Sequence, residues 1–235
     1  MKQSYYEQVG VAMTCRGFAE YEAMFGLREE ELRRGPILDV AAGGSSFTAE
    51  ARARGFETYA VDPRYEGDVS RWIEEAREEI EVSTAKLDAL KEKFDWSYYG
   101  SIDRHREGRI VSLDQFAGHV HSESGPSIYS GGALPELPFA DDSFAIVLCS
   151  HFLFLYAEQF GQAFHKESVR ELMRVCKPGG IVRIYPLISL KWEPYEGLEE
   201  LMELVRAEGG TPALRDSRLP FIPGSNQMLE IRMNS

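Results

Sequence analysis

The sequence predicts an α/β protein built on a largely parallel sheet, and three observations carry that expectation. Short apolar runs closed by Gly, Pro or Asp alternate with charged stretches whose apolar residues recur every three or four positions. The run "SFAIVLCS" at 143–150 is apolar nearly throughout, as a strand covered on both faces must be. No segment repeats, and 235 residues with 43% hydrophobic content suffice for one sizeable core.

The elements follow in order. An N-terminal segment, 1–34, contains the helical pattern "TCRGFAEYEAMF" and is expected to fold over the site of a main domain at 35–235. "PILDVA" at 36–41 reads as the first strand. Ser45 or Ser46 is expected to cap the helix "FTAEARARG", which stops at Gly55. "ETYAVD" at 57–62 is the second strand, ended by Pro63. Val69, Trp72, Ile73, Ala76, Ile80, Leu87, Leu90 and Phe94 then mark one long amphipathic helix, or two broken near Val82–Ser83. The aromatic and basic loop "DWSYYGSIDRHREGR" leads to a second helix, "SLDQFAGHV", from Ser112. This region, about 66–125, exceeds what a crossover needs and is read as an inserted helical cap. Within the insertion, Trp96, Tyr98 and Tyr99 either pack or recognise a ligand.

The sheet resumes at "PSIYSG" and at 143–150. The helix "HKESVRELMRVCKPGG" is expected to end at Lys177–Gly180, and "IVRIYPLISL" is another buried strand. A helix at 195–210 and the pieces "TPALRDS" and "NQMLEIRMN", joined by "RLPFIPGS", complete the chain as an antiparallel hairpin.

Composition narrows the function. A net charge of −12 repels a polyanion, so a small molecule or a protein is the expected partner and nucleic acid is not. Three scattered cysteines without a Cys-x-x-Cys pair suggest neither a disulfide framework nor a zinc site and fit a reducing cytoplasm. His105, His119, His121 and His165 lack metal-ligand spacing and are expected at solvated positions, so no metal is expected. No apolar run reaches membrane-spanning length, and 1–10 has the wrong composition for a signal peptide.

Asp62 lies 19 positions after Gly43, which in a doubly wound sheet brings the first turn and the tip of the second strand to one crevice. There a carboxylate can accept from two ribose hydroxyls, so an adenosine-containing ligand follows. The Gly43–Gly44 pair alone is equally an ordinary tight turn.

"ILDVAAGGSSF", "YAVD", "LPELPFADDSFAIVLCSH" and "ELMRVCKPGGIVRIYPL" resemble, in order and spacing, the strand motifs of class I S-adenosylmethionine-dependent methyltransferases. The resemblance implies a Rossmann-like seven-stranded mixed sheet in the order 3-2-1-4-5-7-6, with the helical insertion after strand 2. It implies S-adenosyl-L-methionine as cofactor and methyl transfer to a small-molecule acceptor. The family turn, acidic-x-Gly-x-Gly-x-Gly, falls on Asp39, Ala41, Gly43 and Ser45. The resemblance implies that Asp39 and the backbone of Ala41, Ala42, Gly43 and Ser45 hold the amino-acid end of the cofactor. Gly43 is then expected to need a positive φ, Ala41 to sit in ordinary backbone space, and Ser45 to cap the helix.

By the same resemblance Asp62 holds the ribose, with Pro63 and Arg64 beside the adenosine. The family's adenine-contacting pair falls on Ala133 and Leu134, which offer only backbone groups and packing. Ser150 and His151 border the transferred methyl, where His151 is a candidate general base, the alternatives being a helix cap or packing under the cofactor. Arg16 is a candidate partner for the cofactor carboxylate and Tyr21 for the pocket wall, against a surface charge and a core tyrosine. A nicotinamide-dependent dehydrogenase and a non-catalytic cofactor-binding protein are the competing readings.

Overall fold

The structure, a computed structural model, describes residues 8, 10–13 and 15–235. Apart from Gln8 and Gly10, the stretch read as unlike a signal peptide lies outside the described residues. The strands are β1 (Ile37–Val40), β2 (Thr58–Val61), β3 (Tyr129–Ser130), β4 (Phe144–Ser150), β5 (Cys176–Tyr185), β6 (Gly210–Asp216) and β7 (Gln227–Met233). They form one seven-stranded sheet in the order β3-β2-β1-β4-β5-β7-β6, as expected. β7 runs antiparallel to both β5 and β6, and the other pairs are parallel.

Side chains along the central strands alternate between two cores, as the two-residue period of a strand requires. Leu38, Val40, Val147 and Cys149 pack towards α7 (Gln162–Arg174) and α8 (Leu198–Ala207). Ile37, Ile146 and Leu148 pack on the other face with Phe18, Tyr21 and Phe25 of α1 (Phe18–Phe25) and Phe47 of α3 (Phe47–Ala53). Near-complete burial of both faces explains why these strands read as continuous apolar runs.

The insertion differs from expectation. α4 (Val69–Ala89) is one unbroken helix: the Ser83 hydroxyl donates to Ile80 O at 3.0 Å, so the pair at 82–83 interrupts nothing. α5 (Ile102–Val120) starts ten residues before Ser112, because Ser101 Oγ accepts Arg104 N–H at 3.2 Å and caps it. Its basic residues are anchored, Arg106 on Glu81 and Arg109 on Glu20. α7 stops at Arg174, short of the expected Lys177–Gly180. The carbonyls of Arg174 and Val175 are taken by Asp142, Ser143 and Phe144 N–H, which fixes the chain as strand, and Lys177–Gly180 fall inside β5. Among the described residues no helix is long and apolar enough to cross a membrane.

Candidate functional site

The carboxyl ends of β1, β2 and β4 and the loop after β3 open onto two cavities. The first, about 280 Å³, is lined by Ala41, Asp62, Pro63, Arg64, Ala133, Leu134 and Phe152 among others. The second, about 120 Å³, lies under the insertion. Its wall joins Arg16, Leu87, Phe94, His105 and Arg109 to His151 and Leu155 after β4, Trp192 after β5, and Phe221 between β6 and β7. A narrow space bounded by Val11–Met13, Ala41, Gly43, Asp62 and His151 lies between them. A crevice at strand carboxyl ends is where open α/β sheets bind ligands.

The turn after β1 is strained where sequence reasoning allowed ordinary backbone. Ala41 has φ +55°, in the left-handed region, and so does Gly43 at +55°. His151, at the tip of β4, has φ +51° and Trp192 +65°. Three of the four described non-glycine residues in this region thus line the cavities, and such strain persists only where surrounding structure enforces it. Gly44 is also closely packed, for a Cβ there would stand 2.9 Å from Leu113 Cδ1 and Met13 Sδ, which would have to shift. That demand arises from elements distant in sequence and gave no local signal.

Asp62 is 5% exposed, and its oxygens accept Gly43 N–H at 3.1 Å and Arg64 N–H at 3.0 Å. Burial raises its pKa, while those two amides work in the opposite direction. Asp39 is fully buried and accepts the Tyr21 hydroxyl at 3.0 Å. Burial drives its pKa well above the usual carboxylate range, opposed by Tyr21 and reinforced by Asp62.

Several expected positions are placed elsewhere. Tyr21 is not on a cavity wall: it stacks on Phe47 at 4.2 Å, a core tyrosine that anchors Asp39. Ser45 does not cap α3, since its Oγ accepts Arg16 N–H at 3.1 Å, and Ser46, at the cap position, donates instead to Glu50 at 2.8 Å. Ala42 is buried with its N–H on Val61 O, and Ser150 is buried behind His151. His105 and His165, expected at solvated positions, are 5% and 1% exposed, because α5 and α7 turn them into aromatic clusters. Trp96 packs on Phe94 and Phe221, and Tyr99 donates to Glu20 and receives Arg109.

Arg16 is 8% exposed, yet its Nε and Nη1 have no hydrogen-bond partner among the described residues; Nε stands 3.9 Å from Glu20. His151 borders both the second cavity and the narrow space. Burial and the nearby Arg16 and Arg109 charges hold its pKa well below the ordinary value, so the ring is neutral at pH 7. Ser150 Oγ lies 3.0 Å from His151 Nδ1 and 3.5 Å from Met24 Sδ. A serine proton directed at the sulfur leaves the histidine hydrogen on Nδ1 and a lone pair on Nε2, whereas one directed at Nδ1 puts the hydrogen on Nε2.

Comparison with known proteins bears on this geometry. Residues 105–184 match a methyltransferase domain family, a span from α5 through most of β5 that excludes the glycine turn. An uncharacterized protein of Methanocaldococcus jannaschii is 30% identical over 218 residues, 92% of this chain and 94% of the relative. The solved PH0226 protein of Pyrococcus horikoshii superposes with TM-score 0.50 at 17% identity, covering 92% of this chain and 90% of that one. A Burkholderia thailandensis 1,6-didemethyltoxoflavin-N1-methyltransferase superposes at 0.49 with 15% identity, covering 92% and 79%.

Proposed function

We propose, from the premise that this chain belongs to the class I S-adenosylmethionine-dependent methyltransferases, that it methylates a small molecule held in the second cavity. The observation that carries this reading is the pair of cavities joined by a narrow space that shares Ala41 and Asp62 with the first and His151 with the second. The residues present fit the cofactor. Asp62 retains lone pairs for two ribose hydroxyls beyond the amides it already accepts. Pro63, Arg64, Ala133 and Leu134 line a cavity with apolar walls for a flat base. The buried Arg16, whose Nε and Nη1 make no hydrogen bond among the described residues, suits a carboxylate, and Asp39 with the turn from Ala41 to Ser45 stands where the amino-acid end would lie.

When bound, the cofactor supplies an activated methyl group on a sulfonium. The protein's contribution is then largely alignment: the turn fixes one reactant, the aromatic wall the other, and Val11–Met13 with α5 exclude water. The neutral His151, in the tautomer with its hydrogen on Nδ1, accepts the proton that an acceptor O–H or N–H releases, at Nε2.

Calorimetric titration with S-adenosylmethionine, S-adenosylhomocysteine and NAD tests the reading. Binding of the two sulfur ligands supports it, whereas tight NAD binding without either overturns it in favour of a dehydrogenase. For Arg16→Ala the expected result is weaker binding of S-adenosylhomocysteine by about 1.5–3 kcal/mol, the range for a hydrogen bond to a charged group. Unchanged affinity would remove Arg16 from the cofactor site.

A further inference from the structure

We infer that the second cavity selects small aromatic compounds that carry a neutral carbonyl oxygen, and that His105 determines this selectivity by donating from Nδ1. The inference rests on the reading of that cavity as the acceptor site.

Arg109 fixes the tautomer. Its donors go to Cys15 O, both Glu20 oxygens and the Tyr99 hydroxyl, and Nη2 stands 3.2 Å from His105 Nε2. The two Nη2 hydrogens go to Glu20 and Tyr99, and Nε2 shares one of them at the longer distance; a hydrogen on Nε2 would face this donor-only guanidinium, so the neutral ring is assigned its hydrogen on Nδ1. The residue is 5% exposed and Nδ1 has no partner among the described residues. Burial, with the Arg109 and Arg16 charges, keeps this imidazole uncharged. A buried donor left without an acceptor is unfavourable, and a ligand oxygen that reaches Nδ1 would relieve it.

The surroundings define the rest of the ligand. The His105 ring stacks on Phe221 with centroids 5.1 Å apart, and Phe94 and Trp192 share the wall, so a flat ring is the matching shape. A volume of about 120 Å³ suits a single ring. Charge decides between a carboxylate and a carbonyl. The Arg16 and Arg109 guanidiniums on this wall stand 3.9 Å and 2.8 Å from the same Glu20 carboxylate, and the half-buried Glu79 offsets the remaining charge, so the wall carries no surplus cation for an anion.

The test uses the full chain saturated with S-adenosylhomocysteine and titrated with 4-hydroxyacetophenone, 4-ethylphenol and 4-hydroxybenzoate. The first two share ring and hydroxyl and differ in the carbonyl. The ketone is expected to bind at least about tenfold tighter than either of the others, which corresponds to roughly 1.4 kcal/mol. His105→Phe is expected to erase the preference with S-adenosylhomocysteine affinity retained, and His105→Asn, which keeps an N–H near Nδ1, to retain most of it. Equal affinity for the ketone and 4-ethylphenol in the wild-type chain, tighter binding of the benzoate, or a preference that survives in a folded His105→Phe protein overturns the inference. Failure of S-adenosylhomocysteine to bind strikes the methyltransferase reading, and the wild-type comparison of ketone with 4-ethylphenol is then read without it.

Discussion

Two buried polar regions, built from the same residue types, stand in opposite states. Beneath the sheet, Arg183 of β5 reaches Glu31 at 3.0 Å and Glu230 at 2.9 Å, and Glu230 also holds Arg215 and Arg232. Burial pushes the Glu31 and Glu230 carboxyls up, but the surrounding guanidiniums outweigh it and leave both below the ordinary range. At the strand ends, Asp39 and Asp62 are equally dry yet raised: among the described residues no side-chain cation pairs with either carboxylate, the Arg64 charge only partly offsets the burial of Asp62, and two buried nitrogens of Arg16 make no hydrogen bond. Under the proposed function, the cofactor completes the set of polar groups at the strand ends.

The largest expected effect comes from breaking the satisfied region. Arg183→Met should cost about 3–5 kcal/mol in chemical denaturation, since Glu31 and Glu230 lose the one buried guanidinium they share and keep only the exposed Arg28, Arg215 and Arg232. A loss under 1 kcal/mol would show that the cluster is effectively solvated. The same cluster sets an acid limit. Because Glu31 and Glu230 are lowered in the folded state, their contribution is complete above their ordinary values near 4.3 and is lost as pH falls through the folded ones. Thermal melts between pH 6 and 3 should show that loss in the wild-type chain and a shallower one in Arg183→Met.

The crevice behaves differently. Asp62→Ala should weaken S-adenosylhomocysteine binding by about 2–4 kcal/mol, the value of two hydrogen bonds to a charged acceptor. An unchanged dissociation constant would put the ribose elsewhere. Stability should fall less than binding, because a desolvated carboxylate is removed along with the two amide contacts. Smallest is Ala41→Gly. Relief of the left-handed φ exceeds the entropy a glycine adds to the unfolded chain, so denaturation should show a gain of up to about 1 kcal/mol. A loss would mean that the alanine methyl packs.

How much was legible follows the range of the interaction. β1, β4 and the two hairpin strands were visible because a two-residue or continuous apolar pattern is local. The start of α5 was obscured because "DRHREGR" is a helix only where Arg106 and Arg109 find Glu81 and Glu20. His105 and Trp192 carried no local signal, since the wall they form joins segments more than eighty residues apart.

The resemblance of four motifs, in order and spacing, to a known family was enough to imply the sheet order, and the 19 positions from Gly43 to Asp62 to bring the glycine turn and that carboxylate to one crevice. Only the tertiary structure decided that Ala41 is strained, that Tyr21 serves Asp39, and that Ser45 holds the Arg16 amide. Those outcomes depend on what α1 and the insertion press against the turn. Contacts between distant segments are fixed by packing density and by the demand that each buried donor find an acceptor, neither of which a run of adjacent residues records.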